Sequence, residues 1–168
     1  MVGKYGKTTL LNDPDHQRKM LSHRKISGVY RWSDNPNIEI SYTGSYELDF
    51  LKFLDIAMDF DGEDVIGPSP HTYYYIYEGK KHFYFPDFFI PSLNLEVEIK
   101  DGGDNPNTHH KIVEVDKVKE KLKDEVITKN GTFSYIKIVN KEYRKFFTFL
   151  EKSKKQFVDG IDKPIFML

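Results

Sequence analysis

The sequence predicts a mixed α/β domain ordered helix, three strands, helix, strand, helix. Three observations carry this. Leu95-Glu96-Val97-Glu98-Ile99-Lys100 alternates strictly, apolar residues on one face and charged ones on the other, as a strand does. Upstream, Leu48, Leu51, Leu54 and Met58 recur at helical spacing. Downstream, Val115, Val118, Leu122 and Val126 form a second helical stripe, ended by Gly131 and followed by the strand-like run Thr132–Val139.

Taken in order, Asn12-Asp13-Pro14 predicts a short helix to about Leu21, and Ser27-Gly28 and Asp34-Asn35-Pro36-Asn37 predict turns. Ser45 is an apt N-cap for a helix from Tyr46 to about Met58, with Glu47 in its first turn. Gly67-Pro68-Ser69-Pro70 then reads as a loop. Tyr73–Tyr77 is the first strand, and Glu78-Gly79-Lys80-Lys81 turns into His82–Phe85. That second strand is expected to continue through Phe88-Phe89-Ile90 past Pro86-Asp87, and Leu95–Lys100 is the third. A loop over 101–107, a helix from about Lys111 to Lys129, the strand 132–139 and a helix from Lys141 to about Phe157 complete the chain.

Composition narrows the classes. Of 168 residues, 39% are hydrophobic and 15% aromatic, enough for a core built on large rings. With no cysteine, disulfides, thiolate zinc sites and cysteine nucleophiles are excluded. No apolar run approaches the roughly 18 residues of a membrane span, and the polar N-terminus does not read as a signal peptide. A cytoplasmic protein is expected, in the host cell if phage-encoded. The net charge of -1 hides an uneven distribution. Residues 1–33 hold seven basic residues against two acidic; residues 46–65 hold seven carboxylates against Lys52; residues 141–157 hold six basic against two acidic. Basic segments around an acidic patch suit an enzyme that contacts phosphates and holds a cation, or simply a charged surface.

Asp87 and Glu98 lie on strands joined by one hairpin turn, and Lys100 shares the face of Glu98. Two carboxylates and an ammonium converging on one point are the equipment of phosphodiester hydrolysis. The carboxylates hold a hard divalent cation that neutralises phosphate and acidifies a water. The lysine orients or helps to deprotonate that water and stabilises developing charge. The bland alternative is a half-exposed strand whose polar face happens to read Glu, Glu, Lys.

With Pro86-Asp87 followed by Glu98-Ile99-Lys100, in a chain ordered helix, three strands, helix, strand, the sequence resembles the PD-(D/E)XK nuclease superfamily over about Ser45–Ile138. The resemblance implies a restriction-endonuclease-like core at about 45–139, with a mixed central sheet flanked by helices. It also implies a Mg²⁺- or Mn²⁺-dependent endonuclease acting on DNA. Asp87, Glu98 and the Ile99 backbone carbonyl would hold metal, Lys100 would serve the water, and Glu47 would be the acidic residue of the first core helix. The loop after Lys100 and Lys123-Asp124…Gly131…Tyr135-Ile136-Lys137-Ile138 are similar to the very-short-patch-repair-like and phage homing endonuclease branch. Glu47 also has a purely helical explanation, an acid in a first turn. The rival reading is a non-catalytic nucleic-acid-binding or assembly domain retaining the fold; a third is a nuclease domain of a larger virion or recombination protein. A phage or mobile-element origin is suggested by the Lys-, Asn- and aromatic-rich style, and a homodimer is left open.

Secondary candidates surround this set. Glu96 shares the polar face as a solvent or supporting group; Asp101 and Asp104 bracket two glycines and could add to a metal site; either of His109-His110 could donate to a scissile phosphate or act as a second base, or be an ordinary exposed loop residue. Lys117 and Lys121, at i, i+4, could line a DNA groove or a solvated face. Gly6-Lys7-Thr8 lacks the first glycine and preceding strand of a P-loop, so nucleoside triphosphate binding is rejected. Residues 1–36, basic and poor in apolar residues, are expected to be a substrate-binding arm on a domain spanning 37–168. Tyr30 and Trp32 in that arm stack on bases or pin it to the core.

Overall fold

The computed structural model describes residues 15, 28–102 and 114–161. Strands β1 (Gly28–Arg31) and β2 (Glu39–Tyr42) form an antiparallel hairpin, with Ile38 N–H donating to the Asn35 carbonyl in the connecting turn. Helix α1 (Ser45–Lys52) follows and widens into a π-helical turn over Phe53–Ala57. A second hairpin, β3 (Tyr73–Tyr77) with β4 (Lys80–Tyr84), turns at Glu78-Gly79, both at positive φ as a two-residue hairpin loop requires. Strands β5 (Phe88–Ile90) and β6 (Leu95–Lys100) are antiparallel. After helix α2 (Glu114–Asn130), strand β7 (Ser134–Val139) returns parallel to β6 and helix α3 (Arg144–Ile161) follows. No helix among the described residues is long and apolar enough to cross a membrane.

The order β5-β6-β7 makes a three-stranded mixed sheet. A further segment runs along β5: Ile66 and Phe89 exchange backbone hydrogen bonds, and Ser69 N–H donates to the Pro86 carbonyl. On one face of the sheet Phe88, Ile90, Leu95, Val97, Ile99 and Ile138 are buried against Phe50, Leu51 and Leu54 of α1 and Phe146 of α3. That is the main core, and its aromatic rings pack edge-on and tilted around Phe50. On the opposite face stand Glu96, Glu98 and Lys100, covered by a second cluster built from Tyr73, Tyr75, Tyr84 and Ile127, with Leu122, Val126 and Tyr135 at its margin. The fold is therefore α/β, with both faces of β6 covered. Its alternation of apolar and charged residues marks two kinds of interior, not an inside and an outside.

Four expectations need correction. Among the described residues the hairpin β3–β4 pairs only with itself, and Tyr84 and Phe88 end and begin separate strands. Pro86 between them has no N–H to give a ladder, and its carbonyl is taken by Ser69. Ser45 is not the N-cap: Gly44 is, without a side-chain cap, and Glu47 instead reaches back to accept Thr43 N–H at 2.7 Å. Of the expected stripe of α2, Leu122 and Val126 do pack on the second cluster, but Val118 is exposed, and Glu120, Lys123 and Asp124 turn inward with Ile127 because this helix faces the charged side of β6. Last, the expected arm is no arm from residue 28 onward. Gly28–Arg31 is paired sheet, and Trp32 is fully buried with its indole N–H donating to the Phe60 carbonyl at 2.9 Å. A Cβ on Gly62 would sit 2.7 Å from the Trp32 ring, so the chain closes over the indole only with glycine there. Tyr30 donates to Asp55 at 2.7 Å; both rings pin this segment to the core rather than offering themselves to bases. The helix predicted to end at Leu21 lies outside the described residues apart from Asp15, which is helical.

Candidate active site

The pairing of β5 with β6 builds the site. Phe88 lies opposite Val97, so one step back along the chain Asp87 lies opposite Glu98. Ile99 N–H donates to Asp87 Oδ2 at 2.8 Å, fixing that carboxylate at the mouth of the strand. Glu98 and Lys100 share a face, and Lys100 Nζ is 3.0 Å from Glu98 Oε1. Glu98 Oε2 accepts the Tyr84 hydroxyl at 2.8 Å. From the first turn of α1, Glu47 reaches the same spot, near enough to feel the charges of Glu98, Lys100 and Asp87. The four side chains singled out by the sequence are thus gathered at one place. Ile99 sends its side chain into the main core and its amide to Asp87.

Three carboxylates around one ammonium repel one another, and the proton affinities record it. Asp87 is pushed well above the ordinary carboxylate range, first by burial and then by the charges of Glu98 and Glu47, against the pull of Ile99 N–H and Lys100. Burial and Glu98 raise Glu47 to about 7, although Thr43 N–H, Lys100 and Asp87 act the other way. The raised proton affinity of both Glu47 and Asp87 comes from crowded, buried negative charge, a repulsion that a cation would relieve as a proton does. Lys100 runs opposite: burial lowers it, but Glu98, Glu120 and Asp87 together raise it above the usual lysine value, so it stays charged.

Glu120 was not singled out as a site residue by sequence. It faces β6 from α2 and accepts from three lysines: Lys123 at 2.8 Å, Lys100 at 3.2 Å and Lys137 of β7 at 3.3 Å. Burial would raise it, but these lysines lower it to about 2. Lys137 and Tyr135 also both bond Asp124. The available signal was Ile127, the most deeply buried of the described residues of α2, with Glu120, Lys123 and Asp124 seven, four and three positions before it. Charged residues in line with an apolar core position imply a charged surface opposite.

Neither whole-chain nor local likeness adds to this. None of the comparisons, with protein-family models, with curated proteins and with solved structures, finds a match. The site therefore rests on its own chemistry.

The other expected participants divide. Glu96 is not a solvent group: it is fully buried, with Oε1 paired to His71 Nδ1 at 2.5 Å and accepting the Tyr73 hydroxyl at 3.2 Å. His71 in turn stacks on Phe133 at 4.1 Å, so this pair ties the segment before β3 to the sheet. Asp101 is half-buried just beyond Lys100. Asp104, His109 and His110 lie outside the described residues. Lys121 faces solvent and pairs with Glu125 at 4.0 Å, while Lys117 is exposed.

The donor set suits a hard divalent cation in chemistry, with oxygen ligands and negative charge in excess. It is not a finished cage. Both oxygens of Glu98 are engaged, and among the described residues no group of three or more His, Asp or Glu side chains is arranged to hold a metal ion as it stands.

The raised Glu47 predicts a pH effect. Because its folded value of about 7 exceeds the ordinary 4.5, the fold keeps a proton that the unfolded chain releases across that interval. The stability from this group is complete below about pH 4.5 and is lost as pH rises through about 7. Asp87 acts in the same direction. Thermal midpoints from about pH 5 to 8 should therefore fall less steeply in Glu47→Gln than in the parent. Parallel slopes would contradict the raised proton affinity of Glu47.

Proposed function

We propose that this chain is a divalent-metal-dependent endonuclease of the PD-(D/E)XK type that hydrolyses phosphodiester bonds in DNA. The observation that carries the reading is the convergence of Asp87, Glu98 and Lys100, with Glu47 beside them. Asp87, Glu98 and the Ile99 carbonyl are the ligands the resemblance implies, with Glu47 as an added one. The cation, when bound, neutralises the phosphate and acidifies a water.

The remaining work falls to side chains. Lys100, flanked by Glu98 and Glu120, is a fixed positive charge and not a proton acceptor; it stabilises the extra negative charge that phosphorus acquires as water adds. Glu47 owes its raised proton affinity to burial and to the charge of Glu98, a strain that a bound cation would relieve, so it fits the part of an added ligand. Tyr84 and Glu120 are positioning residues: one holds the far oxygen of Glu98, the other the far side of Lys100.

A second reading is a non-catalytic nucleic-acid-binding domain that keeps this arrangement as a satisfied polar core. Its support is that Glu98 already has a partner for each oxygen. The two differ in one assay. Incubated with supercoiled plasmid and Mg²⁺ or Mn²⁺, the protein should nick DNA, and a chelator should stop it. Nicking before linearisation indicates one site per acting molecule, and simultaneous double cutting indicates a dimer. Plasmid left intact by folded protein with either cation would overturn the nuclease reading.

A further inference from the structure

A groove of about 560 Å³ opens at the β7 edge of the sheet, where α2 and α3 flank β7. Tyr135 and Lys137 of β7 line it, with Arg144, Lys145, Thr148 and Lys152 of α3 along one wall. Its one carboxylate, Asp124, is taken by Lys137 and Tyr135. By contrast Arg144, Lys145 and Lys152 are exposed and carry no ion pair among the described residues. A basic wall without counter-charges of its own is complementary to a polyanion.

The geometry narrows the polyanion. Arg144, Thr148 and Lys152 recur every four residues, which spaces them roughly 6 Å apart along the helix axis. That is close to the separation of neighbouring phosphates along a nucleic-acid strand. Phe149 and Tyr135 place rings in the same groove, surfaces on which bases can stack. The groove also adjoins the site: Lys137 is the β7 partner of Glu98, and it bonds Glu120, which bonds Lys100.

We propose that this groove is a track for the phosphodiester backbone of a nucleic-acid strand, held by Arg144, Lys145 and Lys152 and led toward the Asp87–Glu98–Lys100 cluster. The destination of the strand rests on the nuclease reading; the binding does not.

The test uses the full chain in excess chelator, so that nothing is cut, and reads fluorescence anisotropy of a labelled oligonucleotide across a salt series. The variant Arg144→Ala/Lys145→Ala/Lys152→Ala changes exposed helix positions that alanine favours. A control, Lys52→Ala/Lys80→Ala/Lys129→Ala, removes the same charge from exposed positions elsewhere. The groove variant should bind at least roughly tenfold more weakly, with the salt dependence of log K shallower by about 2 to 3. The control should stay within about twofold of the parent. Equal losses in variant and control, or no loss in either, would overturn the proposal, as would polyglutamate competing as well as nucleic acid. Cleavage by the parent separates the two readings. A groove variant that binds normally while the parent cuts plasmid sinks the track alone; weakened binding with a parent that never cuts supports the track and sinks the nuclease.

Discussion

Asp87→Asn and Glu98→Gln should each slow metal-dependent cleavage by about 100-fold or more, because each removes charge that acts on the cation and hence on the nucleophile. For Asp87→Asn this loss should come with no loss of stability. The asparagine oxygen still accepts Ile99 N–H, while the repulsion that Glu98 and Glu47 exert on a buried carboxylate disappears. The thermal midpoint should equal or exceed that of the parent. A structural carboxylate behaves oppositely, so a variant that loses stability while keeping activity would remove Asp87 from the chemistry. The combination of lost rate and kept stability belongs to sites whose charges are held together for function at some cost to the fold.

Trp32→Ala should destabilise the chain by about 3–5 kcal/mol, the range for emptying a fully buried large aromatic position. Its ring is packed into the main core beside Gly62, and its N–H is satisfied by Phe60. Domains of this size are stable by about 5–15 kcal/mol in all, so the change removes a large share. Deleting residues 1–36 takes away Trp32 together with β1, and should leave β2 without a partner and the protein insoluble or molten. Denaturant midpoints measure the first, and solubility with near-UV circular dichroism the second. A folded, soluble truncation would restore the arm that the sequence suggested.

Legibility followed how local the signal was. Leu95–Lys100, the turn at Glu78-Gly79, the end of α2 at Gly131 and the strand before α3 could be read because period, turn chemistry and φ preference are properties of neighbours in sequence. Asp87 and Glu98 could be paired because a short turn leaves adjacent strands little choice of register. Trp32 could not be placed: in a polar, basic stretch nothing local tells an indole that stacks on a ligand from one that fills a core, and its partners Phe60 and Gly62 lie about 30 residues away. Glu120 was hidden for a similar reason. Among alternating Lys and Glu it looks solvated until β6 and β7 bring Lys100 and Lys137 to it. Glu96, expected to be a solvent or supporting group, is buried because the β3–β4 hairpin covers a face that alternation alone marks as outer.

The most direct measurement is the single-turnover rate at which a labelled DNA duplex is cut in Mg²⁺ or Mn²⁺ by the parent and by Lys100→Ala, purified identically. The parent should cut and lose activity when the cation is chelated, and Lys100→Ala should be slower by about 100-fold or more while keeping its fold. Equal rates would show that any cleavage comes from elsewhere, and no cleavage by either would show that Asp87, Glu98 and Lys100 are a satisfied polar core and not an active site.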